Sequence, residues 1–143
     1  SHITGERVGG NYLTKSIKSR KADMYEEAES IWADGAYVDA IDSFREYIKV
    51  YPGEYHAYKR IAEIYEKDLG SFRAAALEYE EILKMDIPKS RWGWAAIHLC
   101  NLYSGKLDDS DRALKLLQRV ASECSETTAG EKARDRLTKI ATG

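Results

Sequence analysis

The chain has 143 residues, enough for one domain with a sizeable core. Charged residues make up 32% of it, yet the formal net charge is only -2, which argues against a nucleic-acid partner, since domains that bind one carry a basic face. No apolar run approaches the roughly 18 residues of a membrane span, so no membrane-crossing segment is expected.

There is no initiator methionine, and Ser1-His2 looks like the remnant of a cleaved tag, so a piece cut from a longer protein is expected. Residues 1–20 show neither helical nor strand periodicity, and Gly5, Gly9 and Gly10 loosen the backbone. Lys15, Lys18, Arg20 and Lys21 then form a short basic run. A flexible basic linker is expected here, with the first helix starting at Ile17 at the earliest. The alternative is a segment that follows a membrane anchor or docks on a partner.

Residues 21–54 read as a helical hairpin, with helices over Ala22–Ala33 and Tyr37–Tyr51. Met24, Ala28 and Ile31 share one face of the first helix, and Ala40, Ile41, Phe44 and Ile48 share one face of the second. Gly35 suits the end of a helix and Pro52 cannot continue one.

A second hairpin occupies residues 55–92, with helices over Glu54–Lys67 and Ser71–Met85 and Ser71 as the expected N-cap. Ala28 and Ala62 stand 34 residues apart, whereas Ala40 and Ala75 stand 35 apart. The extra residue is placed in the turn Lys67-Asp68-Leu69-Gly70.

Residues 93–125 form the third hairpin. Trp92 and Trp94 flank Gly93 where its first helix starts, after a connector over residues 85–91, and that helix continues to about Tyr103. The second helix runs over Asp109–Glu123, and Asp108, Asp109 and Asp111 suit its N-terminus. In residues 126–143 a capping box at Thr128-Ala129-Gly130-Glu131 opens a last helix. Ala133, Leu137 and Ile140 form its narrow apolar stripe, as expected of a cap over Leu116, Leu117 and Val120.

The pattern of small residue, large residue, Gly, aromatic, Ala, aromatic and Pro is carried by Ala28, Ile31, Gly35, Tyr37, Ala40, Phe44 and Pro52. It recurs at Ala62, Tyr65, Gly70, Phe72, Ala75, Tyr79 and Pro88, and more loosely at Cys100, Tyr103, Leu107, Ala113 and Leu117. In this the chain resembles the tetratricopeptide repeat family over residues 22–125. The resemblance implies an all-α, right-handed α-α superhelix of about three hairpins plus a C-terminal capping helix. The repeat spacing and final helix also resemble bacterial envelope proteins of the kind associated with the Tol-Pal system. That leans towards the bacterial periplasm, with the cytoplasm as the alternative.

A search for chemistry finds no glycine-rich phosphate loop and no HExxH motif. His2, His56 and His98 lack ligand-spaced partners, and His98 and Cys100, two apart on a helix, point to different sides. No enzyme activity, cofactor or metal site is expected. Cys100 is expected as a buried free thiol, with a disulfide in an oxidising compartment as the alternative.

In the family, peptides bind a concave groove lined by the first helix of each hairpin. The resemblance places that face at Tyr25, Glu29 and Trp32, then His56, Lys59, Glu63 and Glu66, then Trp94, Ile97 and Asn101. The two-lysine, two-asparagine and arginine clamp of chaperone-binding members is absent, because Tyr25 and Glu29 replace its first-repeat residues. The expected function is a non-enzymatic scaffold that binds a peptide or protein segment in the groove. The alternative is a self-association module forming a homodimer. Trp32, with Tyr25 beside it and Lys59 on the next helix, is expected as the main contact patch, unless Trp32 packs between the first two repeats.

Overall fold

The computed structural model describes the backbone of residues 2–143 and the side chains from Ile17 onward. The described residues form seven helices and no strand, the all-α class that the periodicity predicts. The chain divides into two compact units, Ser1–Pro52 and Gly53–Gly143.

The first unit is one hairpin of α1 (His2–Ala33) and α2 (Tyr37–Val50). Helix α1 begins at His2, not near Ala22, so the expected linker continues the helix. The long unbranched residues of its basic run favour that state. Gly35 adopts φ +85°. There its N–H donates to the Trp32 carbonyl at 2.9 Å, while that of Ala36 donates to Ile31 at 3.3 Å. These paired bonds form the glycine-dependent helix stop that the sequence predicts. Ala28 and Ala40 are completely buried, as is Phe44, which lets the two helices approach closely.

The second unit begins with α3 (Tyr55–Glu63), whose last turn widens into a π turn over Ile64–Asp68, and α4 (Phe72–Ile82). Here lies the extra residue of the second repeat. It is absorbed within the helix, before the expected turn: the Leu69 N–H reaches back five residues to Ile64 at 3.0 Å. Ser71 occupies the N-cap position of α4, but its side chain makes no capping bond. Helix α4 ends at Ile82, three residues early, because Lys84 and Met85 bond to Glu81 and Ile82 in tighter turns.

Helix α5 (Lys89–Ser104) starts before the two tryptophans, and Pro88 stands at its N-cap. The proline ring fixes the entry geometry and its carbonyl accepts from the Trp92 N–H at 2.9 Å. The connector is thus shorter than expected, and the 92/93 repeat boundary falls inside a helix. Trp92 is buried and donates from Nε1 to the Leu83 carbonyl at 2.9 Å, tying α5 to the end of α4.

Helices α6 (Ser110–Glu123) and α7 (Thr128–Thr142) complete the unit, with α7 packed on both α5 and α6. Asp109 caps α6 by accepting from the Arg112 N–H at 3.1 Å. The cap of α7 is Thr127, one residue before the expected box, and its hydroxyl accepts from the Gly130 N–H at 3.1 Å. The close approach of α7 requires two glycines. A Cβ on Gly93 would lie 2.8 Å from that of Ala129, and one on Gly130 would collide with the Cys124 carbonyl. One core cluster runs from Ala62 through Ala133, with Leu116, Leu117 and Val120 buried in it.

Candidate functional site

Helices α3 and α5 form the walls of an open cleft of about 550 Å³ in the second unit, floored by Tyr79 and Ile82 of α4. Tyr55, Lys59, Glu63 and Lys67 line one wall at four-residue steps. Ser90, Arg91, Trp94, Ala95 and His98 line the other. Such spacing places side chains in a single stripe along a helix.

The charges in this cleft are unevenly compensated. Lys67 pairs with Glu63 at 3.6 Å. His98 Nε2 meets Glu66 Oε1 at 2.7 Å, and its ring lies 4.8 Å from that of Tyr79. Arg91 rests its guanidinium 5.2 Å from the Tyr55 ring centre, a contact that leaves its charge available. Neither Arg91 nor Lys59 meets a carboxylate among the described residues. Trp94 lines the same cleft with 44% of its surface exposed, and the Lys132 ammonium lies 5.8 Å from its ring. On the floor, burial and then Glu66 and Glu63 push the Tyr79 phenol well above its ordinary pKa, so it stays neutral.

A second cavity of about 490 Å³ continues along α5, lined by Glu66, His98, Asn101, Leu102, Gly105 and Lys106. Arg136 of α7 donates to Asn101 Oδ1 at its rim, at 2.9 Å.

Among the residues expected on the groove face, Lys59, Glu63 and Trp94 line the first cavity, and Glu66 and Asn101 line the second. His56 is exposed but lines neither; its ring lies against Tyr55 at 4.6 Å. Ile97 is a correction: it is 3% exposed and belongs to the core. Trp94, His98 and Asn101, at steps of four and three, form the outward stripe, and His98 takes the place assigned to Ile97. Tyr25, Glu29 and Trp32 lie in the first unit, all half-buried. Tyr25 packs edge-on against Phe44 and Tyr47 with ring centres 5.3 Å apart.

Sequence reasoning missed Arg91, His98, Lys67 and Tyr79. Pro88 was the available signal: a helix starting just after it puts Arg91, Trp94 or Ala95, and His98 on one face. Among the described residues no group of three or more His, Cys, Asp or Glu could hold a metal ion. No described helix is long and apolar enough to cross a membrane.

No protein-family model matches the chain, and no curated protein matches it. Among solved structures it is similar to the TPR domain of Sgt2 from Aspergillus fumigatus. The TM-score is 0.56 at 18% identity, over 87% of this chain and 83% of that one. The fold is therefore of the tetratricopeptide type, a helical-repeat architecture.

Proposed function

We propose that this protein is a non-enzymatic interaction scaffold that holds an extended acidic segment of another protein between α3 and α5. The observation that carries this reading is the pair Lys59 and Arg91. Two cations face one cleft without a carboxylate partner among the described residues, on a molecule whose net charge is -2. An acidic side chain placed there gains charge-assisted hydrogen bonds without breaking an existing pair. Trp94 supplies an exposed aromatic face for an apolar neighbour of that acid, the residue type that most often anchors an interface. The fold supports the same reading, since stacked helical hairpins present extended surfaces suited to binding.

The test is a selection of displayed random peptides on the full chain. Acid-rich winners should bind at least tenfold more weakly to Lys59→Glu and Arg91→Glu variants that keep their helical circular dichroism. Winners without acidic residues, or winners indifferent to both reversals, would move the functional surface elsewhere.

A further inference from the structure

The two cavities along α5 are neighbours that meet at one side-chain pair. His98 lines both, and Glu66, which it meets at 2.7 Å, lines the second. The pair spans from the π turn to α5, two elements that form opposite sides of the groove. The π turn contributes directly. It carries the extra residue of the second repeat, and Glu66 stands within it.

Beyond the pair the groove continues in the same chemical character. Lys106 lines the second cavity, stacked 5.2 Å from the Phe72 ring and with no carboxylate partner among the described residues. Lys59, Lys67, Arg91 and Lys106 thus face the two cavities against only Glu63 and Glu66.

We infer that the Glu66–His98 pair is a gate that sets the length of segment the groove accepts. The inference rests on the acidic-segment reading above. Arg91 to His98 spans about 10 Å along α5 at the helical rise, room for about three to four extended residues. Arg91 to Gly105 spans about 20 Å, room for about six. With the pair closed, only the shorter stretch is available. A longer segment must part the pair, and an acid on that segment competes with Glu66 for His98.

The experiment uses two randomised displayed libraries, of four and of ten residues, selected on the full wild-type chain and on His98→Ala. Winning peptides are synthesised with a fluorophore, and their affinities are read by anisotropy on wild type, His98→Ala, Glu66→Ala and His98→Gln. Four-residue winners should gain no affinity from either alanine change, because they do not cross the pair. Ten-residue winners should bind both alanine variants about tenfold or more tightly than wild type. His98→Gln, whose amide can still donate to Glu66, should return towards wild type. Because Glu66→Ala opens the pair from the opposite side, a packing defect at position 98 cannot imitate the result. Ten-residue winners that bind wild type and the alanine variants alike, yet respond to Lys59→Glu, would overturn the gate and leave the groove reading standing. If no winner of either length responds to Lys59→Glu or Arg91→Glu, the groove reading falls and the gate falls with it.

Discussion

Two tryptophans two residues apart do opposite work. Trp92 is 7% exposed and spends its N–H on the Leu83 carbonyl, whereas Trp94 is 44% exposed and looks into the cleft. Trp92→Phe should therefore cost about 1–2 kcal/mol of stability through the orphaned carbonyl, read by urea denaturation, and should leave peptide binding intact. Trp94→Ala should do the reverse: weaken binding by about 2 kcal/mol, as anchors do, with a midpoint close to wild type. A second residue-scale consequence concerns Cys100, which is 1% exposed and has its thiol pKa pushed by burial from 9.0 to about 11. Its folded pKa lies above the unfolded one, so between those values the unfolded chain binds fewer protons and stability falls as pH rises. Burial also raises Tyr79, Tyr103 and Cys124, which act in the same direction. Unfolding curves should show stability steady to about pH 8 and then declining. Cys100→Ala should shallow the decline between pH 9 and 10, before the tyrosines join. An identical curve for that variant would mean the thiol is not the first group to titrate.

The seventh helix depends on two places where a side chain is forbidden. Gly130→Ala would set a methyl group against the Cys124 carbonyl, and Gly93→Ala would crowd Ala129. Either change forces α7 away from α5 and α6. Overpacking of this kind costs about 1–3 kcal/mol, and Gly130→Ala should be the worse because a backbone carbonyl cannot turn aside. Ending the chain before Thr127 should expose Leu116, Leu117 and Val120 and bring aggregation by light scattering; a truncated protein as stable as the full chain would refute the cap. At this scale most of the fold was legible in the sequence. Ala28 with Ala40, and the apolar sets around Phe44 and Tyr79, repeat at helical steps, and Gly35 and Gly70 mark positive-φ stops. What was not legible were single-residue registers. Thr127 and Thr128 are both competent caps, and only the path of the chain decides that Gly130 N–H meets Thr127. The extra residue near Lys67 could equally lengthen a turn or widen a helix, and hydrogen bonding to Ile64 selects the second. That same ambiguity after Pro88 misplaced Ile97 by one position, and with it hid His98.

For the molecule as a whole, charge is distributed against its own average. The chain carries -2 overall, while the two cavities gather Lys59, Lys67, Arg91 and Lys106 on one side of the second unit. An acidic segment approaching such a protein is repelled weakly by the whole and attracted by the groove, so orientation is selected during the encounter. Exposed charges are screened over about 10 Å at 0.1 M salt and about 3 Å at 1 M. Raising salt from 0.05 to 0.5 M should therefore weaken binding of a selected acidic peptide severalfold, mainly by slowing association. Trp94→Ala should leave that salt dependence unchanged while raising the dissociation rate, because it removes apolar contact and no charge. Lys59→Glu should flatten the salt dependence, since little attraction remains to be screened. Stopped-flow association rates across the salt series separate these effects. If affinity stays constant across the series, the groove does not hold its ligand by charge, and the acidic-segment reading loses its basis.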